Sequence, residues 1–210
     1  MRRRPKPHVR LPRLFRSFRR VPPTSTALGG LVLSVVFVGL PAARVQAEPR
    51  KLPPAENLAV KELDDDGMVG IETRFHVRVE PAEAYRLLSD FEHLAEFMPS
   101  LRTCEILERS GATVVLRMKA DLGELVQRRV HEPPSAIRWT LVSSPVLRRL
   151  RGGWFVEPEG GGSALTYRVL VEPMVPAPPA MVRWSQTQAL GTLVRNVRMR
   201  LESHGAWRKL

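Results

Sequence analysis

Alternation of apolar and polar residues over most of the chain constrains the fold of this 210-residue sequence more than any other feature. From Val69 onward, apolar side chains recur at every second position, as at Ile71, Phe75 and Val79. Such a pattern is typical of a β-strand with one buried and one solvated face. Six later segments repeat it, so each is predicted to be a strand. These segments are residues 103–109, 113–120, 125–131, 136–142, 150–157 and 163–172.

Helical periodicity is confined to two parts of the chain. Pro81 opens a short helix, because the missing N–H of proline does no harm at the first helical position. A second short helix follows and ends at Pro99. The proline-rich residues 175–179 then lead into a long helix, predicted over about residues 179–203. Its apolar stripe consists of Leu190, Val194, Val197 and Leu201, with Arg195, Arg198 and Arg200 elsewhere on its surface.

The predicted elements together define one fold class. Strands with one apolar and one polar face form an antiparallel sheet that is wet on one side. The long amphipathic helix has an apolar stripe that must also be buried, and the apolar face of the sheet can cover it. We therefore expect an α+β fold in which a curved antiparallel β-sheet surrounds a long C-terminal α-helix.

Positive charge is concentrated at the N-terminus. The chain has a formal net charge of +12, but residues 1–47 hold ten of its 33 basic residues and none of its 21 acidic residues. The remainder therefore has a net charge of +2 and no strong electrostatic attraction for polyphosphate. Nucleic acid is accordingly not among the expected partners.

The first 47 residues have the organisation of an export signal. A basic region precedes an uncharged apolar run of 14 residues, 27–40, which is shorter than the ~20 residues of a membrane-spanning helix. Small residues at Val45 and Ala47 then suit signal peptidase. We predict a signal peptide at 1–47, a linker at 48–67, a ligand-binding domain at 68–205 and a tail at 206–210. The protein would be exported, to the periplasm, although an uncleaved N-terminal membrane anchor would also use the uncharged residues 21–43.

Export makes a direct prediction about the mature N-terminus. If signal peptidase cleaves after Ala47, N-terminal sequencing of the exported protein should begin at Glu48. Recovery of intact Met1 on protein from a membrane fraction would instead establish the anchored form.

A series of short motifs spreads across the predicted domain. Residues 79–85, 88–91 and 97–99 lie around the two short helices, and Trp154 is followed by Pro158. The turn at 161–162 leads into residues 165–167, and Pro173 precedes the proline-rich connector. In order and spacing, this series resembles the START-like (SRPBCC) superfamily, specifically its polyketide cyclase/dehydrase and coenzyme Q-binding branch. The resemblance implies a helix-grip fold with a deep cavity between sheet and C-terminal helix, of the kind that holds lipids, quinones or polyketides. It does not fix one chemistry, because one fold hosts many functions.

The cavity implied by this resemblance would be lined by inward strand residues and by the helix stripe. A filled core without ligand needs the same apolar residues, so the pattern alone is compatible with both. The predicted ligand-contacting residues are Thr73, Phe75, Val114, Leu116, Met118, Arg128, Trp139, Tyr167, Leu190 and Val194.

Arg128 is the most informative polar residue of this set. Alternation places it inward with Val126 and Val130, and turns Gln127 and Arg129 outward. A buried guanidinium needs a partner, which a ligand carboxylate, phosphate or carbonyl would provide. A one-residue change of register would instead turn Arg128 to solvent.

Sequence motifs give little support for catalysis. The chain has no Gly-x-Ser-x-Gly elbow and no His-Glu-x-x-His, and its single cysteine, Cys104, excludes a cysteine-based zinc site. We therefore predict no catalytic residue, metal site or cofactor, and an exported binding or carrier protein for a hydrophobic small molecule. Two alternatives remain open: a cyclase/dehydratase enzyme using the same cavity, and a membrane-surface interaction module without ligand. The arginine-containing run 147–151 is the candidate for membrane contact.

Overall fold

A computed structural model describes residues 58–121 and 123–209, and the predicted signal peptide 1–47 and linker residues 48–57 lie outside these ranges. The described residues form eight strands, two α-helices and one 3-10 helix. The strands are β1 Val60–Asp65, β2 Met68–Val77, β3 Leu101–Ser110, β4 Thr113–Ala120, β5 Gly123–Glu132, β6 Ala136–Ser143, β7 Leu147–Glu159 and β8 Gly162–Pro173. The helices are α1 Pro81–Leu88, the 3-10 helix Phe91–Glu96 and α2 Pro179–Glu202.

All eight strands belong to one antiparallel sheet. Their order is β1-β2-β8-β7-β6-β5-β4-β3, so the last strand pairs with the second. The helical segment between β2 and β3 carries the chain from one side of the sheet to the opposite edge. This confirms the predicted α+β fold of a curved antiparallel sheet with a long C-terminal helix. In the part of the chain that the structure describes, no helix is long and apolar enough to cross a membrane.

Helix α2 lies against the inner face of the sheet through its apolar stripe. It packs on β2 and also contacts α1. The four predicted stripe residues are all buried, and Val197 is 0% exposed. Arg200 was predicted on the surface but is buried, because its guanidinium pairs with Glu96 at 3.0 Å and donates to the Trp207 carbonyl at 3.0 Å.

Two boundaries differ from the prediction. Residues 60–65 were assigned to the linker, but they form the edge strand β1, and the Thr73 hydroxyl of β2 donates to the Ala59 carbonyl at 3.0 Å. The acidic residues of this segment are paired with arginines, as Asp64 is with Arg183. The predicted tail also belongs to the domain, because Lys209 donates through its backbone N–H to the Glu96 carbonyl at 2.8 Å.

Candidate functional site

Strand register determines which side chains of β5 face α2. In the antiparallel pair β4–β5, Val114 lies opposite Arg129 and Leu116 lies opposite Gln127. Residues directly opposite each other in such a pair share one face of the sheet. Because Val114 and Leu116 are in the core, the side chains of Arg129 and Gln127 are inside as well, with exposures of 3% and 6%.

The predicted inward orientation of Arg128 is therefore wrong by one residue. Arg128 is exposed on the outer face, together with Val130. The prediction treated Val126 and Val130 as the apolar face of β5, but the polar side chains of Gln127 and Arg129 point inward instead. A reversal of the usual hydrophobic pattern is expected where function overrides stability.

The guanidinium of Arg129 lies close to two aromatic rings. Its central carbon is 5.0 Å from the centroid of Phe91 and 5.2 Å from that of Trp139. One terminal nitrogen, Nη2, donates to Oε1 of Gln127 at 3.3 Å and approaches the Met118 sulfur at 3.8 Å. Cation–π contacts of this kind stabilise a desolvated charge but leave the in-plane N–H donors available.

Arg129 lacks a full set of partners. Its Nε is buried and has no hydrogen-bond acceptor within the described part of the chain. Burial lowers the pKa of Arg129 to about 10, and the nearby Cys104 and Tyr167 side chains oppose that shift. The side chain thus stays cationic at neutral pH. A buried cation paired with neutral groups is costly, and an anionic or carbonyl oxygen would remove much of that cost.

Aromatic rings continue from Arg129 across the inner face of the sheet. Tyr167 is 6.0 Å from Trp139 and 4.7 Å from Trp154, whose ring meets Phe75 edge-on at 6.3 Å. Tyr167 is partly accessible, yet burial raises its pKa to about 12.

A second polar pair lies beside Arg129. His131 follows two residues later on β5, and its Nδ1 shares a hydrogen bond of 2.9 Å with the hydroxyl of Tyr85 on α1. The His131 ring is 5.2 Å from the ring of Phe91. Burial, aided by the charges of Arg109 and Arg129, lowers the pKa of His131, so the imidazole is neutral at pH 7.

The structure places seven of the ten predicted site residues on the inner face of the sheet and two on the stripe of α2, and leaves out Arg128. The nine are Thr73, Phe75, Val114, Leu116, Met118, Trp139, Tyr167, Leu190 and Val194. The hydroxyl of Thr73 is occupied by its bond to the Ala59 carbonyl. Contact of these residues with a ligand stays a prediction.

Sequence reasoning missed the polar residues that occupy the centre of the site. Gln127 and Arg129 were assigned to the outer face, and His131 was not among the predicted site residues. The register of β5 is fixed by the pairing of Ala120 with Gly123, which hydrophobic alternation does not reveal. Over the described ranges, no group of three or more His, Cys, Asp or Glu side chains is placed to hold a metal ion.

Comparison with known families places most of the described domain in one group. The model of the family described as polyketide cyclase / dehydrase and lipid transport matches residues 77–198, which is more than half of the chain. No curated protein matches the sequence.

Solved structures share the fold at low sequence identity. A START superfamily protein from Mycobacterium smegmatis is 20% identical, with a TM-score of 0.57 over 64% of this chain and 97% of its own. The Zhui aromatase/cyclase from Streptomyces sp. R1128 is 17% identical, with a TM-score of 0.55 over 63% and 94%. A STAR-related lipid transfer protein from Xanthomonas axonopodis is 14% identical, with a TM-score of 0.54 over 70% and 99%. At these identities the likeness shows the fold alone.

Proposed function

This chain belongs to the polyketide cyclase / dehydrase and lipid transport family, and from that premise we propose that it binds and carries one hydrophobic small molecule between its sheet and α2. The apolar body of the ligand would leave water for the apolar and aromatic inner face, at roughly 25 cal/mol per Å² of surface buried. A few polar groups would set its orientation.

The observation that carries this proposal is the incompletely paired guanidinium of Arg129 inside an apolar and aromatic surrounding. An unpartnered charge in a core destabilises the protein, and a ligand can offset that cost when it brings its own oxygen. The ligand should therefore combine an apolar body with a carboxylate, phosphate, enolate or carbonyl head. Lipid-, quinone- and polyketide-like molecules all meet this description. The names of two fold neighbours, an aromatase/cyclase and a lipid transfer protein, are consistent with such ligands.

A thermal-shift panel tests the proposal. Palmitic acid and decylubiquinone should raise the melting temperature, because a ligand that binds only the folded state stabilises it by about 2.7 kcal/mol at a hundredfold excess over its Kd. Hexadecane should raise it less, because it offers no oxygen to Arg129. If none of the three shifts the transition, the carrier function is wrong.

An enzyme of the cyclase/dehydratase kind is a second candidate, and the His131–Tyr85 pair favours it. A neutral imidazole bonded to a phenol, two residues along β5 from a cation, is a reasonable base for removing a proton next to a carbonyl. The two functions differ in the fate of the molecule. A carrier returns a poly-β-ketone probe unchanged, whereas an enzyme returns it cyclised or dehydrated, and His131→Asn should then stop the conversion.

Contact with a membrane surface is the third element of the proposal. The arginines of the run 147–151, assigned to this role from the sequence, are paired with carboxylates of Asp65, Asp66 and Glu172. Apolar side chains are better suited to the contact. The exposed ones at this end of the domain are Val146, Met174, Val175, Met181 and Trp184.

The loops that carry Val146 and Met174 are joined by a backbone hydrogen bond of 2.9 Å, and the side chain of Trp184 on α2 is 63% exposed. A carrier that docks through this surface should float with phosphatidylcholine vesicles and lose that property in Trp184→Ser. A membrane module without ligand would do the same but give no shift in the thermal panel. Because residues 1–47 are predicted to be a signal peptide, we propose that the protein carries its ligand outside the cytoplasm.

A further inference from the structure

Gln186 is a half-buried polar residue near the start of α2, on the same helix face as the apolar stripe. It lies one helical turn after Val182 and one turn before Leu190, which are 8% and 2% exposed. Both of its amide atoms, Oε1 and Nε2, are inaccessible to solvent and have no hydrogen-bond partner among the described residues. Gln188, two residues further on, is exposed on the opposite face.

A buried amide without partners is costly to the folded protein. Each buried donor or acceptor that loses water without gaining a protein partner destabilises the native state, and such groups are rare enough to need a specific explanation. A leucine or methionine at this position would continue the stripe without that cost. An amide at this position is explained if both of its atoms gain hydrogen-bond partners in another state of the protein.

We infer that Gln186 is a specificity-determining residue that hydrogen-bonds a hydroxyl group of the ligand. The inference rests on the proposed function, because it requires a ligand between α2 and the sheet. A hydroxyl fits the amide best, since it accepts from Nε2 and donates to Oε1 and so satisfies both atoms at once.

Two incompletely paired polar groups then contact the ligand from different elements of the fold. Arg129 on β5 takes an anionic or carbonyl oxygen, and Gln186 on α2 takes a neutral hydroxyl. The favoured ligand therefore carries oxygen at two separate places on an apolar body, rather than at one end only. This excludes simple saturated fatty acids as the best ligands, even if they bind.

The test compares Gln186→Met with Gln188→Met in the full protein. Methionine has nearly the volume of glutamine, so both variants are expected to fold. Without ligand, Gln186→Met should melt roughly 2–4 °C above wild type, because two unsatisfied atoms are removed. Gln188→Met should leave the melting temperature unchanged.

The binding arm uses palmitic acid and 16-hydroxypalmitic acid as probes, measured by calorimetry. Wild type and Gln188→Met should prefer the hydroxy acid by about three- to tenfold, and Gln186→Met should lose that preference. The inference is overturned if all three proteins prefer the hydroxy acid to the same degree, or if ligand-free Gln186→Met melts below wild type. Either result leaves the carrier function intact. If wild type binds neither probe nor any member of the thermal panel, the proposed function itself fails.

Discussion

Val197→Asp should prevent the domain from folding. Val197 lies in the middle of the α2 stripe and is 0% exposed within the hydrophobic core. A buried carboxylate without a cationic partner costs about 3–5 kcal/mol, and the loss of apolar packing adds to that cost. Because whole domains have only about 5–15 kcal/mol of stability, the change removes much or all of it. Circular dichroism over a temperature or urea gradient should show no cooperative transition, or one at far lower midpoint.

The matched control is Val142→Asp, which makes the same chemical change at a valine that is 50% exposed on β6. This variant should keep its melting temperature to within a few degrees. A Val197→Asp protein that melts like wild type would contradict the packing of α2 on the sheet.

Arg129→Met should weaken the binding of ligands with an acidic head. A charge-assisted hydrogen bond is worth about 1.5–3 kcal/mol, so the affinity for palmitic acid should fall about ten- to hundredfold. Binding of hexadecane should change little, because it makes no such bond. The ligand-free variant should be at least as stable as wild type, since it no longer buries an incompletely paired charge.

Arg128→Met is the control for this variant, because Arg128 is the adjacent residue of the same type and is exposed on the outer face. It should bind palmitic acid like wild type. Arg129→Lys keeps the charge but loses the planar donor geometry, so its affinity for palmitic acid should lie between those of wild type and Arg129→Met. If Arg129→Met loses affinity for palmitic acid and hexadecane equally, this arginine supports the fold and does not recognise the ligand head.

The fold was predictable from the sequence because one physical signal dominates it. Period-two alternation identified β2 and the six strands from β3 to β8, and the stripe from Leu190 to Leu201 identified the buried face of α2. Both signals arise from the requirement that apolar surface be buried on one side of each element. The edge strand β1 was missed because its acidic residues form ion pairs with arginines from other elements, which sequence alone does not reveal.

The site was less predictable for the same physical reason. Its apolar walls obey the alternation and were predicted, whereas Gln127 and Arg129 break it by placing polar side chains inward. A method that infers orientation from hydrophobicity must misassign such a strand. Gln186 is a similar exception on α2, since only packing reveals that its amide is buried without a partner.

The most direct test of a ligand between sheet and helix is native mass spectrometry of the purified protein, followed by solvent extraction and identification of any bound molecule. We expect a one-to-one complex with a molecule that has an apolar body and an acidic or carbonyl head. The complex should be retained in Arg128→Met and lost in Arg129→Met. A protein that remains at its ligand-free mass, even after incubation with excess palmitic acid and decylubiquinone, would show that no ligand binds between the sheet and α2.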